Sequence, residues 1–423
     1  MQAVVLAAGR GTRMRSEHPK VLHEILGRPL LDYVLETLES LGVRNPKVVV
    51  GAGGKEVCSF IEKRNTARKV KATAVWQHEQ KGTGHAVQMA EKSLAGEDRD
   101  LLIWPGDMPV LTPGTLKRFI RSHRESGAQA SVLSSLQRDP AGYGRILRAG
   151  GQFYAIREEL DAGESERRIQ EVNSGVYLFK TPVLFGALKK IRPANSKKEL
   201  YLTDTVEVLA KYGAAIEAFP FAGEKEASGI NSRMDLAMAT KIMTSREIQG
   251  HMERGVSFIS PDQTFVEPGA KIGPDTVIEP WTYIEAGVKI GKGCHIGPFA
   301  KLRKGSEIGD GTIIGSFVEV NRSKLGKKVL AKHLAYLGDA VIGDETNVGA
   351  GAITANFDGR NKHVTRIGKK VFIGSNTVFV APVTLSDFSK TGAGAVVTAG
   401  TRVKKGEVVA GIPARPLAKK RKN

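Results

Sequence analysis

A glycine-rich segment directly behind the first apolar run has the residue types of a phosphate-binding loop. Leu6-Ala7-Ala8-Gly9 leads into Arg10-Gly11-Thr12-Arg13, and Lys20 follows after Pro19. Small residues allow main-chain N–H groups to approach a phosphate chain, and Arg13 and Lys20 add positive charge. The spacing fits neither GxGxxG nor GxxxxGK[ST], which disfavours a dinucleotide-dependent dehydrogenase and a P-loop ATPase. The segment therefore predicts a site for a phosphate chain.

Two other residues have side chains that suit catalysis or metal binding, although each also has a plain structural interpretation. Asp107 follows the apolar residues 101–104, where a carboxylate either binds a cation or caps the next turn. His333 lies far along the chain, and a neutral imidazole suits a general base. A lone histidine is more often a surface or packing residue. Residue type alone leaves both alternatives open.

The elements that would position the N-terminal residues alternate between strand and helix patterns. Residues 3–7, 47–50 and 101–104 are short apolar runs, whereas residues 31–41 and 116–126 carry apolar side chains at helical spacing. This alternation predicts an open, mostly parallel α/β sheet, whose ligands bind at the carboxyl ends of the strands. We expect a first domain over residues 1–231 and a connecting helix over 232–254.

Residues 255–423 have a different period, with aliphatic side chains six residues apart and often followed by glycine. A period of six fits neither a helix nor a flat strand, but it fits a parallel β-helix in which each hexapeptide forms one side of a coil. The frame breaks after Val320, resumes at Tyr336, and breaks again before Ile367; such breaks predict loops that build a site. The ten positions in the first frame are Val266, Ile272, Ile278, Ile284, Ile290, Ile296, Leu302, Ile308, Ile314 and Val320.

Composition limits the class of protein. The chain has 423 residues, a net charge of +19 and only two cysteines, Cys58 and Cys294. The charge favours anionic ligands, and so few cysteines favour a reducing cytosol. We read neither a signal peptide nor an apolar run of about 20 residues, so we predict a cytoplasmic protein without a membrane partner. The basic residues 419–422 are interpreted as a solvated end, because no nucleic-acid-binding module accompanies them.

The N-terminal motifs resemble the sugar-phosphate nucleotidyltransferases. In addition to the glycine-rich loop, residues 77–86 are similar to the uracil-binding segment of members that make UDP-sugars, and residues 104–109 to the family's metal-binding turn. The resemblance implies UTP as co-substrate, bound through the loop residues Leu6 to Gly9 and through Gln77, Gly82 and Thr83. It assigns Mg²⁺ to Asp107 and Asn231, and transition-state neutralisation to Lys20 and Arg13.

The same resemblance assigns the sugar phosphate to Gly144, Glu158, Asn173 and Asn231. One position departs from the family, whose Glu-x-Lys-Asp-Ala segment reads Glu158-Glu159-Leu160-Asp161-Ala162 here. Because Leu160 removes a cationic side chain, we predict weaker binding of the sugar phosphate at this site.

Further motifs extend the resemblance to the whole chain. Residues 297–303, 332–339 and 347–351 are similar to segments of the family of bifunctional UDP-N-acetylglucosamine pyrophosphorylases/glucosamine-1-phosphate N-acetyltransferases. That family has a Rossmann-like nucleotidyltransferase domain followed by a left-handed parallel β-helix that packs as a homotrimer. It makes a precursor of bacterial cell-wall polymers. The resemblance implies acetyl-CoA as co-substrate and His333 as the general base.

In the acetyl-transfer site, the resemblance implies two groups of contacts. The glucosamine phosphate is assigned to Arg303, Asn321, Tyr336, Asn347 and Lys362. Acetyl-CoA is assigned to Ala350, Asn356, Phe357, Ser375, Ala393 and Arg415, with Asn356 close to the reacting amine.

Two of these positions depart from the family, which has lysine at 321 and tyrosine at 357. We predict weakened glucosamine-1-phosphate binding. We do not expect the adjacent Arg322 to compensate, because neighbours on a strand point to opposite faces.

The favoured interpretation is a bifunctional enzyme that acetylates glucosamine-1-phosphate and then transfers uridylyl from UTP. One alternative is a uridylyltransferase whose solenoid only forms trimers. A second, from another class, is a trimeric scaffold or nucleic-acid binder that uses the +19 charge. The scaffold leaves Asp107, Asn231 and the Lys20 loop unexplained, so the small-molecule enzyme is preferred.

Overall fold

The structure, a computed structural model, describes residues 1–94 and 99–417. The basic residues 419–422 of the sequence analysis lie outside the described residues. The chain divides into two compact units, residues 1–239 and 240–423. Each unit is built on one of the two sequence periods.

In the first unit, the apolar runs form a twisted sheet whose parallel neighbours are joined by helices. On the seven-strand main path of this sheet, Glu171–Lys180 is the described strand that runs antiparallel to both of its neighbours, so the predicted, mostly parallel sheet contains one reversed strand on that path. The hairpin Arg145–Ala149 and Gln152–Arg157 attaches to it through Arg145 and Val172. In spatial order the main path consists of Ile216–Ala222, Ala130–Leu136, Glu171–Lys180, Asp100–Pro105, Gln2–Ala7, Lys47–Val50 and Thr73–Trp76.

Helices cover both faces of this sheet and bury two separate apolar clusters. Leu31, Leu35 and Phe119 pack on one face, and Val87 and Leu184 on the other. Burial of both faces explains why the central strands are apolar throughout. The helices are Leu30–Ser40, Gly54–Ala67, Thr83–Met89, Glu91–Leu94, Pro113–Glu125, Glu164–Arg167, Thr181–Leu188, Asp204–Lys211 and Arg233–Met252; a small hairpin comprises Glu24–Ile25 and Arg28–Pro29.

The helix Arg233–Met252 occupies the connecting segment of the sequence. Asp235 Oδ2 accepts hydrogen bonds from the main-chain N–H groups of Asn231 and Ser232 at 2.9 and 2.8 Å, which caps the first turn. The division between the two units falls inside this helix, between Ala239 and Thr240.

The second unit is a three-sided coil of very short strands, parallel apart from Arg415–Pro416, and most of them place one aliphatic side chain inward. Glycine is required where coils approach closely: a Cβ on Gly315 would lie 1.9 Å from the carbonyl oxygen of Lys332 in the next coil. Buried hydroxyls also join the coils. Thr276, Thr312 and Thr346 each donate to a carbonyl oxygen at 2.9 Å.

The strands of the coil form three sheets. The first contains Ser257–Phe258, Val277–Ile278, His295–Ile296, Ile313–Ser316, Leu330–His333, Asn347–Val348, Phe372–Ile373, Lys390–Thr391, Val408–Ala410 and, antiparallel, Arg415–Pro416. The second contains Phe265–Val266, Tyr283–Ile284, Lys301–Leu302, Glu319–Asn321, Tyr336–Gly338, Ile353–Ala355, Val378–Val380 and Val396–Val397. The third contains Lys271–Ile272, Lys289–Ile290, Glu307–Ile308, Lys324–Leu325, Ala340–Ile342, Thr365–Ile367, Val383–Leu385 and Arg402–Val403.

The first frame break differs from the sequence prediction. No loop leaves the coil after Val320; the next inward residue is Leu325, five positions on instead of six, and the coil continues. Leu337, paired with Val320, faces the core with 1% exposure, so the prediction that Tyr336 resumes the inward frame is wrong. A shortened corner explains the shift. His333 consequently ends a regular strand and does not lie in a protruding loop.

The second break does contain an excursion. Between Ala355 and Thr365 the chain turns back on itself, and Phe357 pairs with Lys362 in an isolated antiparallel bridge. No helix of the described residues is long and apolar enough to cross a membrane.

Candidate active sites

The glycine-rich loop follows the strand Gln2–Ala7, at the edge of the sheet where parallel strands end. Gln80 fastens it to the candidate uracil segment: its Nε2 donates to the Ala8 carbonyl oxygen at 2.7 Å, and its Oε1 accepts from Arg10 Nε at 2.9 Å. The sequence analysis gave Gln80 no role. Because these two bonds cross from one motif to the other, the loop and the uracil segment form one surface.

The uracil candidates are held by their own contacts. Gln77 is 4% exposed, and its Nε2 donates to the Gly82 carbonyl oxygen at 3.1 Å. Thr83 Oγ1 accepts from Leu202 N–H at 3.0 Å. Gly82 has φ of 109°, and a Cβ there would lie 2.5 Å from the Leu200 carbonyl oxygen. Glycine is therefore required at 82 by close main-chain packing, whatever ligand this segment binds.

Lys20, Asp107 and Asn231 meet at the same sheet edge, although 87 and 211 residues separate Lys20 from the other two. Lys20 Nζ forms an ion pair with Asp107 Oδ2 and donates to Asn231 Oδ1 at 3.1 Å. The lysine and aspartate side chains are 14% and 16% exposed. One carboxylate oxygen and one amide oxygen thus already surround a cation, so these residues fit the metal role that the resemblance assigns.

Arg13 is not part of this cluster. It lies in the short 3₁₀ helix Thr12–Met14 with an exposed side chain. Across residues 1–94 and 99–417, no hydrogen bond or ion pair joins Arg13 to Lys20 or Asp107. Its assignment to the transition state stays a prediction.

Three of the sugar candidates lie together. A Cβ on Gly144 would be 3.4 Å from Glu158 Oε2 and 3.6 Å from Asn173 Cβ. Asn173 N–H donates to the Gly144 carbonyl oxygen at 2.8 Å, and Thr203 Oγ1 donates to Glu158 Oε1 at 3.2 Å. Burial raises the pKa of the Glu158 carboxyl above its usual range. Thr203 is a neighbour that the sequence analysis did not select.

Leu160, which replaces the family's lysine, is 59% exposed. The adjacent Glu159 is paired instead, accepting from Arg145 NH2 at 2.7 Å and from Gly142 N–H at 3.0 Å. Among the described residues, the segment therefore supports the turn at 142–145 rather than presenting a cation.

In the solenoid, His333 begins a column of small residues. His333, Ala350, Ser375 and Ala393 each lie two positions after an inward-facing residue, at one corner of four successive coils. Main-chain bonds join neighbouring corners, as from Asn376 N–H to the Ala350 carbonyl oxygen at 2.7 Å. With about 4.8 Å per coil, the column extends about 14 Å. The family resemblance assigns the three small residues to acetyl-CoA, and the coil aligns all of them with His333, the candidate base.

Arg415 lies near the far end of this column. Its strand, Arg415–Pro416, pairs antiparallel with Val408–Ala410, and Ala410 is its direct partner. His333, at the opposite end, has an exposed side chain on the strand Leu330–His333.

The phosphate candidates Arg303 and Asn321 occupy equivalent positions in adjacent coils of the second sheet. Arg303 NH1 donates to Glu319 Oε1 at 3.0 Å, and its Nε lies 3.6 Å from Glu285 Oε1. Asn321 is 6% exposed. Tyr336 belongs to the next coil of this sheet, whereas Asn347 lies on the first sheet, between Leu330 and Phe372.

The expectation that Arg322 points away from Asn321 is wrong. The strand ends at Asn321, and Arg322 has φ of 50°, so the alternation of a strand no longer applies. Arg322 NH1 donates to Asn321 Oδ1 at 3.0 Å, while its Nε and NH2 donate to the two carboxylate oxygens of Asp339, each at 2.7 Å. A guanidinium group thus lies beside the amide that replaces the family's lysine.

Asp339 connects this arginine to the acetyl-transfer candidates. Its Oδ2 also accepts a hydrogen bond from Asn356 Nδ2, the residue assigned near the reacting amine. The Arg322 hydrogen bond, together with that from Asn356, lowers the pKa of Asp339. Asp339 stands in the quoted segment 332–339, but nothing in that segment identified it as the common partner of Arg322 and Asn356.

The chain combines a nucleotide-transfer scaffold, its sheet unit, with an acyl-transfer scaffold, its solenoid. Together they define a transferase with two catalytic units. Residues 3–186 match the family described as MobA-like NTP transferase domain, and residues 269–304 and 287–322 match the bacterial transferase hexapeptide.

Whole-length relatives name the family. A Bifunctional protein GlmU of Heliobacterium modesticaldum is 42% identical, covering 94% of this chain and 92% of the relative. Those of Pelotomaculum thermopropionicum and Latilactobacillus sakei are 41% and 38% identical, covering 90% and 94% of this chain and 90% and 92% of the relatives. The chain belongs to the bifunctional GlmU family. The predicted family and the predicted pair of folds are confirmed.

Proposed function

We propose that this protein makes UDP-N-acetylglucosamine in two steps: acetyl transfer to glucosamine-1-phosphate, then uridylyl transfer to the product. The observation that carries the proposal is full-length membership of a bifunctional family with both scaffolds present. The two site clusters support it independently. One presents a cation at a sheet edge beside a glycine-rich loop, and the other aligns a histidine with a column of small residues.

Uridylyl transfer needs positioning and charge neutralisation rather than a protein nucleophile. A phosphate oxygen of N-acetylglucosamine-1-phosphate attacks the α-phosphorus of UTP, and pyrophosphate leaves. Leu6 to Gly9 bind the phosphates through main-chain N–H groups, and Lys20 and Arg13 neutralise charge. Gly144, Glu158 and Asn173 hold the sugar. Asp107 and Asn231 would hold Mg²⁺, which supplies Lewis-acid stabilisation of the phosphate oxygens.

Acetyl transfer needs a base for the amine. His333 accepts a proton as the amine nitrogen of glucosamine-1-phosphate bonds to the thioester carbonyl carbon, and the thiolate of coenzyme A leaves. The column of Ala350, Ser375 and Ala393 leaves room for an extended thioester arm because all three side chains are small. Asn356 orients the amine, and its own orientation is fixed by Asp339. Phe357 lines the same excursion, with 59% exposure.

The phosphate of glucosamine-1-phosphate takes Arg303, Asn321, Tyr336, Asn347 and Lys362 as partners. The active form is a homotrimer, because the flat outer faces of a solenoid coil need covering and threefold packing covers them. The cytoplasm is its compartment, because a chain with only two cysteines suits a reducing environment. Light scattering should give the mass of three chains, and a monomer at micromolar concentration would refute the trimer.

A single incubation tests the two activities. Pure protein receives glucosamine-1-phosphate, acetyl-CoA, UTP and Mg²⁺, and free coenzyme A and pyrophosphate are followed separately. Release of both supports the proposal. Pyrophosphate alone, and only when N-acetylglucosamine-1-phosphate is supplied, would identify a uridylyltransferase with an inactive solenoid. Release of neither product, both in this incubation and in one that also contains N-acetylglucosamine-1-phosphate, would overturn the enzyme assignment.

A further inference from the structure

The ammonium group of Lys20 occupies the position where a metal ion would bind. Its Nζ contacts Asp107 Oδ2 and Asn231 Oδ1, one side-chain oxygen from each of the two residues proposed to hold Mg²⁺ at this edge of the sheet. Magnesium requires oxygen ligands at about 2.1 Å. The ammonium and the metal therefore exclude each other at these oxygens.

Charge makes the exclusion stronger. Lys20 and Asp107 are largely buried, so their interaction is screened less than that of a surface pair. Suppose that a divalent ion displaced Lys20 from Asp107 and that no further anion were bound. The charges of the metal ion and of the nearby ammonium, three positive charges in all, would then face the single negative charge of Asp107. Among the described residues, no group of three or more His, Cys, Asp or Glu side chains forms a metal cluster that could absorb this charge.

The stem of Lys20 shows where the ammonium can go. Gly11, in the left-handed region with φ of 60°, packs on it: a Cβ there would lie 2.8 Å from Lys20 Cβ. Lys20 therefore contacts the phosphate-loop candidate at its stem and the metal candidates at its tip. Because the four-carbon side chain of Lys20 is flexible, its ammonium could turn from the metal candidates toward a phosphate bound at the loop, whose oxygens would accept it.

We propose that Lys20 is a built-in counter-ion that fills the cation site of the free protein and leaves it only when a nucleotide phosphate accepts its ammonium. Metal and nucleotide binding are then coupled: the nucleotide releases Asp107 and Asn231 and supplies the remaining oxygen ligands. The consequence is a free enzyme that resists divalent metal and a nucleotide complex that binds it. This inference rests on the proposed uridylyl site but concerns binding, not turnover.

The test measures Mn²⁺, a paramagnetic probe for a magnesium site, binding to nucleotide-free protein by electron paramagnetic resonance. Lys20→Met keeps the stem and removes the charge, and Lys20→Gln is a second variant in case the first is poorly folded. Lys117→Met, at an exposed position on Pro113–Glu125, is the control for an equal change in net charge. We expect Lys20→Met to bind Mn²⁺ at least about tenfold more tightly than wild type, and Lys117→Met to match wild type.

Two measurements localise the effect. Adding Asp107→Asn to Lys20→Met should abolish the gain, and Mn²⁺ should raise the melting temperature of Lys20→Met more than that of wild type. Equal Mn²⁺ affinity in folded Lys20→Met, Lys20→Gln and wild type would overturn the proposal. So would a gain that survives Asp107→Asn. Pyrophosphate release by wild type is measured in parallel, so a protein without uridylyl transfer would fail that assay while the Mn²⁺ comparison still decides the exchange.

Discussion

The two units place their candidate residues by different means. In the sheet unit, Lys20, Asp107 and Asn231 meet because strands and helices return to one edge, and no regular spacing relates them. In the solenoid, His333, Ala350, Ser375 and Ala393 align because each coil repeats the last. The sheet site therefore depends on charge pairing between residues distant in sequence, whereas the solenoid site depends on the register between successive coils. Substitutions should therefore affect the sites separately.

The largest effect should come from Asp107→Ala, which removes the only carboxylate proposed for the metal. We expect pyrophosphate release to fall by ~1000-fold, the range seen when a preorganised charge-stabilising group is removed. Coenzyme A release should stay at the wild-type rate, which serves as the internal control for folding. Loss of both activities in a folded protein would contradict separate sites.

His333→Ala is the reciprocal change. Removing a general base should lower kcat for acetyl transfer by ~100-fold, with little change in pyrophosphate release from N-acetylglucosamine-1-phosphate. Steady-state release of coenzyme A measures this. His295→Ala, in an earlier coil, is the matched control and should behave as wild type. Acetylation by His333→Ala at the wild-type rate would show that the base lies elsewhere.

Asn321→Lys should have an intermediate effect on the solenoid site. A lysine beside Arg303 adds a charged hydrogen bond to the sugar phosphate, worth ~1.5 kcal/mol, or roughly tenfold in binding. The Arg322 guanidinium is already next to position 321, although its charge is matched by Asp339. The gain should therefore not exceed about tenfold. We expect KM for glucosamine-1-phosphate to fall and kcat to change little, since the contact is the same in ground and transition states.

Initial rates of coenzyme A release over a range of glucosamine-1-phosphate measure that KM. Asn45→Lys, on an exposed turn of the other unit, controls for net charge and should leave KM unchanged. An unchanged or higher KM in Asn321→Lys would mean that position 321 does not contact the phosphate.

The smallest effect concerns stability near the sugar candidates. Burial, with the nearby carboxylates Glu207 and Glu158, raises the pKa of Asp204 to about 6. The folded protein then holds this proton more tightly than the unfolded chain, whose carboxyl titrates near ~4, so stability falls as pH rises from ~4 to ~6. Asp204→Asn removes that penalty. Because Asp204 is only half-buried, we expect a gain of about 1 kcal/mol at pH 7 and none near pH 4.

Urea unfolding of the sheet unit at pH 4 and pH 7 measures this difference, with the exposed Asp262→Asn of the solenoid as control. A gain of equal size at both pH values would show that the substitution acts through packing and not through the charge of Asp204.

Much of the fold could be predicted from the sequence because the two periods are strong local signals. Strand 47–50 has the predicted bounds, and the inward positions from Val266 to Val320 face the core. The frame after Val320 could not be predicted, because a five-residue corner shifts the inward positions by one and resembles a break in the sequence. Ala331 and Thr354, which occupy inward positions, are not large aliphatic residues and so do not reveal the shifted frame. The prediction of a loop between Val320 and Tyr336, the stretch that contains His333, was wrong for this reason.

For both candidate sites, the sequence analysis named individual residues but not the hydrogen bonds that connect them. Gln80 and Asp339 act through partners that are distant in sequence, as in the bond from Gln80 Nε2 to the Ala8 carbonyl oxygen across 72 positions. No local pattern signals such a pair. The orientation of Arg322 depends on one left-handed dihedral angle at the end of a strand, and a non-glycine residue gives no sign of it.

The central claim, two independent sites in one chain, is tested most directly by mixing the two inactive variants. Asp107→Ala and His333→Ala are incubated alone and as an equimolar mixture with glucosamine-1-phosphate, acetyl-CoA, UTP and Mg²⁺, and UDP-N-acetylglucosamine is quantified. Neither variant alone should form the product above the residual level, whereas the mixture should form it because the acetylated intermediate diffuses between proteins. A mixture that forms no more than either variant alone, although each retains its remaining activity, would contradict the account.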